Sequence, residues 1–191
     1  MRIIGFDPGL TRAGYGIVEE QAGRLRAVEY GTLRAFGETA PDQLASLRTR
    51  LHEAIERTAP AAMAIERVFF NRNVRTAART LQASGVAQGL AAECGLAVYE
   101  YGPLEMKRAV VGVGNADKNQ VGFMVRRILS LPADLKEPDA ADALALAITA
   151  LHGRPWLQRP EGRPEARSEA RSEAHPEVRP GVRPGVKRAA R

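Results

Sequence analysis

The chain has 191 residues with a formal net charge of +6, and 45% of its residues are hydrophobic, enough for one domain with a real core. No apolar run reaches the roughly 18–20 residues that a membrane span needs, and the N-terminus shows no export signal. The single cysteine, Cys94, excludes an internal disulfide and a cysteine-rich zinc site, so we expect a cytoplasmic protein.

The strands and helices are predicted in chain order from hydrophobic periodicity and turn residues. Residues 2–7, 14–19 and 25–33 are predicted to form an antiparallel meander, because only short turns separate them. Two further strands are expected at 61–68, ending at Glu66, and at 96–101. Helices are expected at 41–59, 76–93, 103–111, 118–131 and 139–151. The order βββαβαβααα predicts an α/β fold with a mixed five-stranded sheet flanked by helices.

The composition changes after residue 153. Residues 154–191 contain six of the twelve prolines, short Arg-Ser-Glu-Ala and Arg-Pro-Gly-Val repeats, and five of the six net positive charges. Such a segment buries too little apolar surface to offset the entropy lost on ordering. We therefore predict a folded domain over 1–153 and a disordered tail over 154–191. The tail is either a solvated segment without a specific role or a basic arm that attracts phosphates.

Four carboxylates stand at the ends of predicted elements. Asp7 and Glu66 each end an apolar strand, and Asp139 and Asp142 lie three apart in the first turn of the last helix, after Pro138. Taken singly, Asp7 could be a turn residue and Asp139 a helix cap. Taken together, acids converging from separate segments suit two Mg²⁺ ions that clamp a phosphodiester.

Basic and aromatic residues follow Glu66 directly. Phe69 and Phe70 are flanked by Arg67, Arg72 and Arg75, a composition that suits nucleic acid, because arginine binds phosphates and an aromatic ring stacks on an exposed base. One of the two phenylalanines could instead belong to the core. Further basic positions are Lys107, Arg108, Lys118, Arg126 and Arg127.

These stretches together resemble a known family. Five stretches of the sequence are similar to the RuvC-type crossover junction endodeoxyribonucleases. They are Ile4-Gly5-Phe6-Asp7-Pro8-Gly9, Gly14-Tyr15-Gly16, Ile65-Glu66-Arg67-Val68-Phe69, residues 110–118 and the run from Asp139 to Ala145. The resemblance covers nearly all of residues 1–153 and leaves out the tail.

The resemblance implies a ribonuclease H-like fold and Mg²⁺- or Mn²⁺-dependent cleavage of two strands across a four-way DNA junction during recombination and repair. It implies that Asp7, Glu66, Asp139 and Asp142 are the catalytic and metal-binding acids, with two ions in each active site. Phe69 matches the family's stacking aromatic, and Lys107 and Lys118 match its DNA-contacting lysines. Arg72 and Arg75 are added as DNA-binding candidates because of their place beside Phe69.

The resemblance also implies partners. We expect a homodimer, which supplies two active sites for two symmetric nicks, and cooperation with the RuvA–RuvB branch-migration motor. In the family the helix after Phe69 lies at the dimer interface. Here that helix includes Ala78, Leu81, Ser84, Gly85, Val86, Gly89 and Leu90. Its small residues permit close helix approach, and the alternative is that they pack within one subunit.

Two other classes of protein share part of this pattern. An actin-like ATPase also opens with a strand, an Asp-x-Gly turn and a glycine-bearing turn, but it needs a second domain and a second phosphate loop that the sequence lacks. A junction-binding protein without chemistry would not need all four acids.

Overall fold

The structure of the chain is a computed structural model that describes residues 1–68, 74–132 and 137–153. Its elements follow the predicted order: β1 (Arg2–Asp7), β2 (Arg12–Gln21), β3 (Arg24–Arg34), α1 (Ala40–Thr58), β4 (Ala62–Glu66), α2 (Val74–Glu93), β5 (Ala97–Tyr101), α3 (Pro103–Val111), α4 (Lys118–Leu129) and α5 (Pro138–Gly153). The predicted tail lies outside the described residues. None of the helices in those three ranges has both the length and the apolar character that a membrane span requires.

The predicted element ends differ from the observed ones by a few residues. β2 and β3 are longer than predicted, because their polar ends still pair across the meander as far as Gln21 and Arg24. α4 ends two residues earlier than predicted, since Ser130 takes a left-handed conformation with φ of 53° and its N–H is bonded to the carbonyl of Arg126. β4 ends at Glu66 and does not continue to Val68.

The strands form one mixed sheet in the order β3-β2-β1-β4-β5. β1, β2 and β3 pair antiparallel, which confirms the predicted meander, whereas β4 and β5 continue the sheet parallel to β1. β1 is therefore the central strand, and Ile3, Ile4 and Phe6 are fully buried on its two faces. The α/β class expected from the sequence is confirmed.

Two hydrophobic layers cover the two faces of the sheet. Ile4, Phe6 and Ile65 belong to the layer that contains residues of α1 and α2, such as Leu51 and Leu90. Alternate residues point to the opposite face. There Ile3 and Ala64 belong to the layer that holds α3, α4 and α5. Asp7 and Glu66 continue this second alternation, so they lie on the α5 face.

α5 is the most buried helix of the described residues. Eleven of its residues are buried, from Ala140 to Leu151. A helix that is apolar on nearly all sides needs neighbours all round, and α5 has the sheet on one side and α3 and α4 on the other. Its N-terminal turn, which carries Asp139 and Asp142, is therefore held in a fixed position relative to the sheet.

α2 presents a different surface. Two of its predicted interface residues, Ser84 and Leu90, are buried within the subunit, so they cannot belong to an outward dimer face. By contrast Leu81 is 37% exposed and Val74 is 66% exposed. A methyl group built at Gly85 or Gly89 would meet open space. The outward face of α2 thus contains small and apolar residues next to the exposed Arg75, Arg79 and Gln82.

Candidate active site

Asp7 and Glu66 stand side by side at the ends of neighbouring strands. β1 and β4 are parallel and their register pairs Phe6 with Ile65, so the next residue of each strand, Asp7 or Glu66, ends it at the same edge of the sheet. Paired residues of parallel strands point to the same face, here toward α5. The two carboxyl groups that the sequence placed at strand ends are therefore brought together.

Burial and mutual repulsion change the acidity of this pair. Burial is the largest cause that raises the pKa of Asp7, to about 8, and the negative charge of Glu66 and a hydrogen bond with it add to the rise. Burial also raises the pKa of Glu66, although the hydrogen bond from Asp7 opposes that rise. In the metal-free protein the two carboxyl groups thus share a proton near neutral pH, which Asp7 donates to Glu66.

Three glycines bring α5 close enough to the sheet to complete the site. A Cβ atom at Gly5 would lie 1.8 Å from the carbonyl oxygen of Ala143, and one at Gly14 would lie 2.0 Å from that of Asp139. A Cβ atom at Gly16 would collide with Leu144 at 2.7 Å. Any side chain at these positions would push the helix away, so the glycines set the distance between Asp139 and the sheet.

Asp139 and Asp142 are each paired with a cation. The Arg12 Nη2 atom, on β2, lies 3.0 Å from Oδ2 of Asp139. The Lys118 Nζ atom, in the first turn of α4, lies 2.7 Å from Oδ2 of Asp142. The hydrogen bond with Asp142 is the largest cause that raises the pKa of Lys118. Both acids are close enough to Asp7 that their charges also raise its pKa.

The four acids thus form two pairs with different charge environments. Asp7 and Glu66 are half-buried and repel each other, whereas Asp139 and Asp142 are each neutralised by a basic residue. Within the part of the chain that the structure describes, no three His, Cys, Asp or Glu side chains are close enough together to hold one metal ion. The four carboxylates meet around one edge of the sheet without forming a single tight cluster.

A capping box holds Lys118 at the start of α4. The Asp117 side chain accepts a hydrogen bond from the Gln120 N–H at 2.9 Å, and the Gln120 side chain accepts one from the Asp117 N–H at 2.9 Å. These reciprocal bonds fix the first turn of the helix. Lys118, predicted from the sequence as a DNA-binding residue, is therefore set beside Asp142.

The other predicted DNA-binding residues are scattered. Arg75 is exposed in the first turn of α2, and Lys107 is half-buried on α3, next to the buried Met106. Phe69 and Arg72 lie outside the described residues. Sequence reasoning missed Arg12, although its place five residues after Asp7, at the start of the next strand, was a signal that it returns to the same edge of the sheet.

Comparison with known proteins identifies the family. The family model described as crossover junction endodeoxyribonuclease RuvC matches residues 3–150. This chain belongs to the RuvC family. It is 46% identical over 164 residues to the crossover junction endodeoxyribonuclease RuvC of Roseiflexus sp. (strain RS-1), an alignment that covers 85% of this chain and 98% of the relative.

Solved structures agree with this assignment. The chain is similar to RuvC of Thermus thermophilus in complex with Holliday junction substrate, with a TM-score of 0.76 and 34% sequence identity over 82% of this chain and 96% of that one. The yeast mitochondrial Holliday junction resolvase shares the fold at 14% identity, with a TM-score of 0.59 over 82% of this chain and 81% of that chain. Family membership makes the chain a crossover junction endodeoxyribonuclease and decides against the ATPase alternative.

Proposed function

We propose that this chain resolves four-way DNA junctions by nicking two strands symmetrically in a metal-dependent reaction, with Asp7, Glu66, Asp139 and Asp142 as the catalytic acids. The observation that carries the proposal is the half-buried Asp7–Glu66 pair, whose side chains lie next to the acidic first turn of α5. Its relative from Thermus thermophilus is described with a Holliday junction substrate, which supports the same substrate here.

The donor set fits hard divalent cations. Because no three of the described carboxylates lie together, each ion would take one or two of them and complete its shell with water or phosphate oxygens, as Mg²⁺ usually does. A half-buried pair of like charges is stabilised when a cation replaces the shared proton. We propose two ions in each site, held by Asp7, Glu66, Asp139 and Asp142. When bound, such ions activate the attacking water and stabilise the leaving oxygen of the phosphodiester.

The basic residues of the site have a separate task. Arg12 and Lys118 offset the charge of Asp139 and Asp142, so a DNA phosphate approaches a less negative surface than four free carboxylates would present. We propose that Lys118, Lys107, Arg72, Arg75 and Phe69 contact the junction. Of these, Lys118 has the strongest support, because its ammonium group lies within the acidic site itself.

The proposed homodimer uses the outward face of α2. Exposed Leu81 and Val74 and the open surface over Gly85 and Gly89 allow a second helix to approach closely. Two copies related by a two-fold axis would present two active sites to the two strands of a four-way junction. Cooperation with RuvA–RuvB and a cytoplasmic location stay predictions from the sequence.

A dimer test compares two equally exposed residues. Leu81 on α2 and Val28 on β3 are both 37% exposed. Sedimentation equilibrium should show that Leu81→Glu shifts the protein to monomer, whereas Val28→Glu leaves the association state unchanged. A dimer that survives Leu81→Glu, in a protein that remains folded by circular dichroism, would remove α2 from the interface.

Cleavage of a synthetic four-way junction tests the function itself. The full chain is incubated with a labelled junction, or with a duplex of the same sequence, in Mg²⁺, in Mn²⁺ or with a chelator. We expect paired nicks in the junction only, at symmetric positions and only with a metal ion. Cutting that persists in chelator would refute the metal-dependent reaction, and equal cutting of the duplex would refute structure-specificity.

A further inference from the structure

α4 borders a groove that begins at the catalytic site. Lys118, Gly122 and Arg126 follow one another at intervals of four residues, so they share one face of the helix. The groove has a volume of about 280 Å³ and lies between this face and the start of α5. Its lining residues are Lys118, Asn119, Gly122, Arg126, Pro138, Ala141 and Asp142. One end of the groove is thus the carboxylate of Asp142.

Gly122 forms the open floor of this groove. A Cβ atom built there would lie 3.6 Å from Nη1 of Arg126, so the guanidinium reaches back by one turn over the glycine. This direction is the normal one for a long side chain on a helix, which leans toward the N-terminus. The groove therefore has a cationic side chain at each end of its α4 wall, Lys118 and Arg126.

A second cavity continues the groove along α4. It has a volume of about 510 Å³ and is lined by Phe123, Arg126, Arg127, Ser130 and Leu131. Arg126 borders both cavities, so the two are neighbours on one surface. From Lys118 to Leu131 this surface, which we name the α4 track, extends about 20 Å at 1.5 Å per helical residue.

Phe123 on the α4 track has a large exposed ring. Its side chain is 57% exposed. The other strongly exposed phenylalanine, Phe36, is covered by the guanidinium of Arg50, 4.6 Å from the ring centroid. Within the described residues the ring of Phe123 has no such cation over it. An uncovered aromatic ring beside two arginines is a surface on which a base can stack.

The charge of the α4 track favours a polyanion. α4 contains Lys118, Arg126 and Arg127 and no Asp or Glu, whereas residues 1–153 as a whole carry a net charge of only +1. Lys118 is paired with Asp142, but among the described residues no carboxylate is within ion-pairing distance of Arg126 or Arg127. Among the described residues these two guanidinium groups thus have no carboxylate partner, and a guanidinium binds phosphate strongly.

We propose that the α4 track binds the DNA strand that continues from the cleaved phosphodiester, with Arg126 on its backbone phosphates and Phe123 stacked on a base or sugar next to the cut. This inference rests on the proposed function. The track begins at Asp142, so a strand bound along it is directed into the acidic site. A B-form arm that lies along its length passes about six phosphates of one strand, at 3.4 Å of helix axis each. Arg126 and Phe123 are positioning residues in this scheme.

The first experiment uses three variants, the conservative variant Arg126→Lys and one control. Arg126→Gln removes a charge, Phe123→Ala removes the ring, and Gly122→Leu fills the groove without changing any charge. Arg24→Gln is the control, because Arg24 is an exposed arginine far from the active site. Arg24 pairs with Gln21 at one end of β2, whereas Asp7 pairs with Gly14 near the other end of that strand. Junction affinity is measured by fluorescence anisotropy in Ca²⁺ at several salt concentrations, and cutting is measured in Mg²⁺.

The variants should differ in their salt dependence. We expect Arg126→Gln to bind about tenfold more weakly and to lose about one unit of the slope of log affinity against log salt. Phe123→Ala should lose a similar affinity with an unchanged slope, and Arg126→Lys should retain the slope. All should melt within a few degrees of wild type, since the changed side chains are on the surface. Affinity and cutting equal to the Arg24→Gln control in all three variants would overturn the proposal.

The second experiment locates the contact on the DNA. Single phosphates of the cleaved strand are replaced, one junction at a time, by neutral methylphosphonates. The affinity of wild-type protein should fall when any one of about six phosphates beside the cut is made neutral. At the phosphate that Arg126 contacts, neutralising the phosphate should not weaken the binding of Arg126→Gln any further. Additive losses at every position would refute the contact. If the α4 track binds a protein partner instead of DNA, the variants will bind protein-free junctions as tightly as wild type does. That result would contradict the proposal.

These outcomes are separable from failure of the proposed function. If wild-type protein cuts no junction in any metal, the proposed function fails. If wild-type protein cuts and the α4 variants behave as the control does, only the α4 track is refuted.

Discussion

The α-carbon of Gly14 on β2 faces the backbone of Asp139 so closely that a Cβ atom would lie 2.0 Å from the Asp139 carbonyl oxygen. Gly14 pairs with Asp7 across β1 and β2, so one glycine connects the strand-end acid with the helix-end acid. The obstacle is backbone and cannot rotate away. The position of the acidic first turn of α5 is therefore set by the missing side chain of Gly14.

Replacing Gly14 should disturb both stability and the site. We expect Gly14→Ala to lower the free energy of unfolding by about 3 kcal/mol, the upper end for overpacking, since the helix backbone must move. Junction cutting should fall more steeply than stability, because Asp139 moves with the helix. Urea unfolding followed by circular dichroism measures the first effect. Gly153→Ala, where an added methyl meets open space at the other end of α5, is the matched control and should change stability by less than about 0.5 kcal/mol.

Arg12 should affect metal binding more than it affects stability. Its ion pair with Asp139 is partly exposed, with 53% of the Arg12 side chain accessible, so Arg12→Gln should cost under about 1 kcal/mol. Loss of a positive charge beside Asp139, a proposed metal ligand, should lower the Mg²⁺ concentration needed for half-maximal cutting. Arg26→Gln serves as the control, because Arg26 is 60% exposed and pairs with Glu19, which lies toward the far end of β2. Cutting that is lost at saturating Mg²⁺ would instead assign Arg12 to the DNA.

The sequence predicts those parts of the site that depend on residues adjacent in the chain. Asp7 and Glu66 each end an apolar run, and the rule that parallel strands end at one edge of the sheet brings them together. The family resemblance predicts Lys118 as a DNA-binding residue. In the structure a capping box holds Lys118 beside Asp142.

The parts that sequence reasoning missed depend on distant contacts. Arg12 and Asp139 are 127 positions apart, and no pattern around either residue encodes their pairing. Gly5, Gly14 and Gly16 were noticed only as part of a family motif, because the need for glycine is visible only when α5 lies on the strands. Phe123 gives no signal of its own in the sequence, since an apolar residue in an amphipathic helix is ordinarily expected in the core, whereas the structure exposes 57% of it.

Phe69 remains a prediction from the sequence, since it lies outside the described residues. It follows Glu66 by three residues in a basic stretch. Phe69→Ala should reduce junction cutting far more than it lowers the melting temperature, because a lost stacking contact is worth about 1–3 kcal/mol of DNA binding. Paired measurements of cutting and thermal unfolding decide the matter. A mutant that melts several degrees lower yet cuts normally when folded would place Phe69 in the core.

Asp7 should make the metal-free protein less stable as the pH rises. Burial and the repulsion of Glu66 raise the pKa of Asp7 from 3.8 to about 8, so between these values the folded state holds a proton that the unfolded state has released. The stability linked to this proton is fully present below about pH 3.8 and is lost as the pH rises through about 8. The slope contributed by Asp7 is at most about 1.4 kcal/mol per pH unit.

Asp7→Asn removes this titration and one proposed metal ligand while keeping the shape of the side chain. In a chelator we therefore expect the mutant to gain stability over wild type progressively from pH 5 to pH 8, with the difference levelling off above that range. Thermal unfolding across this pH series measures the difference, and Glu53→Gln, at an exposed acid on α1, is a control that should follow wild type. The same mutant should bind a junction in Ca²⁺ at least as well as wild type, because one negative charge fewer faces the phosphates, and should not cut in Mg²⁺ or Mn²⁺. Near wild-type cutting would remove Asp7 from the metal site, and a stability difference that does not change with pH would show that Asp7 and Glu66 do not share a proton.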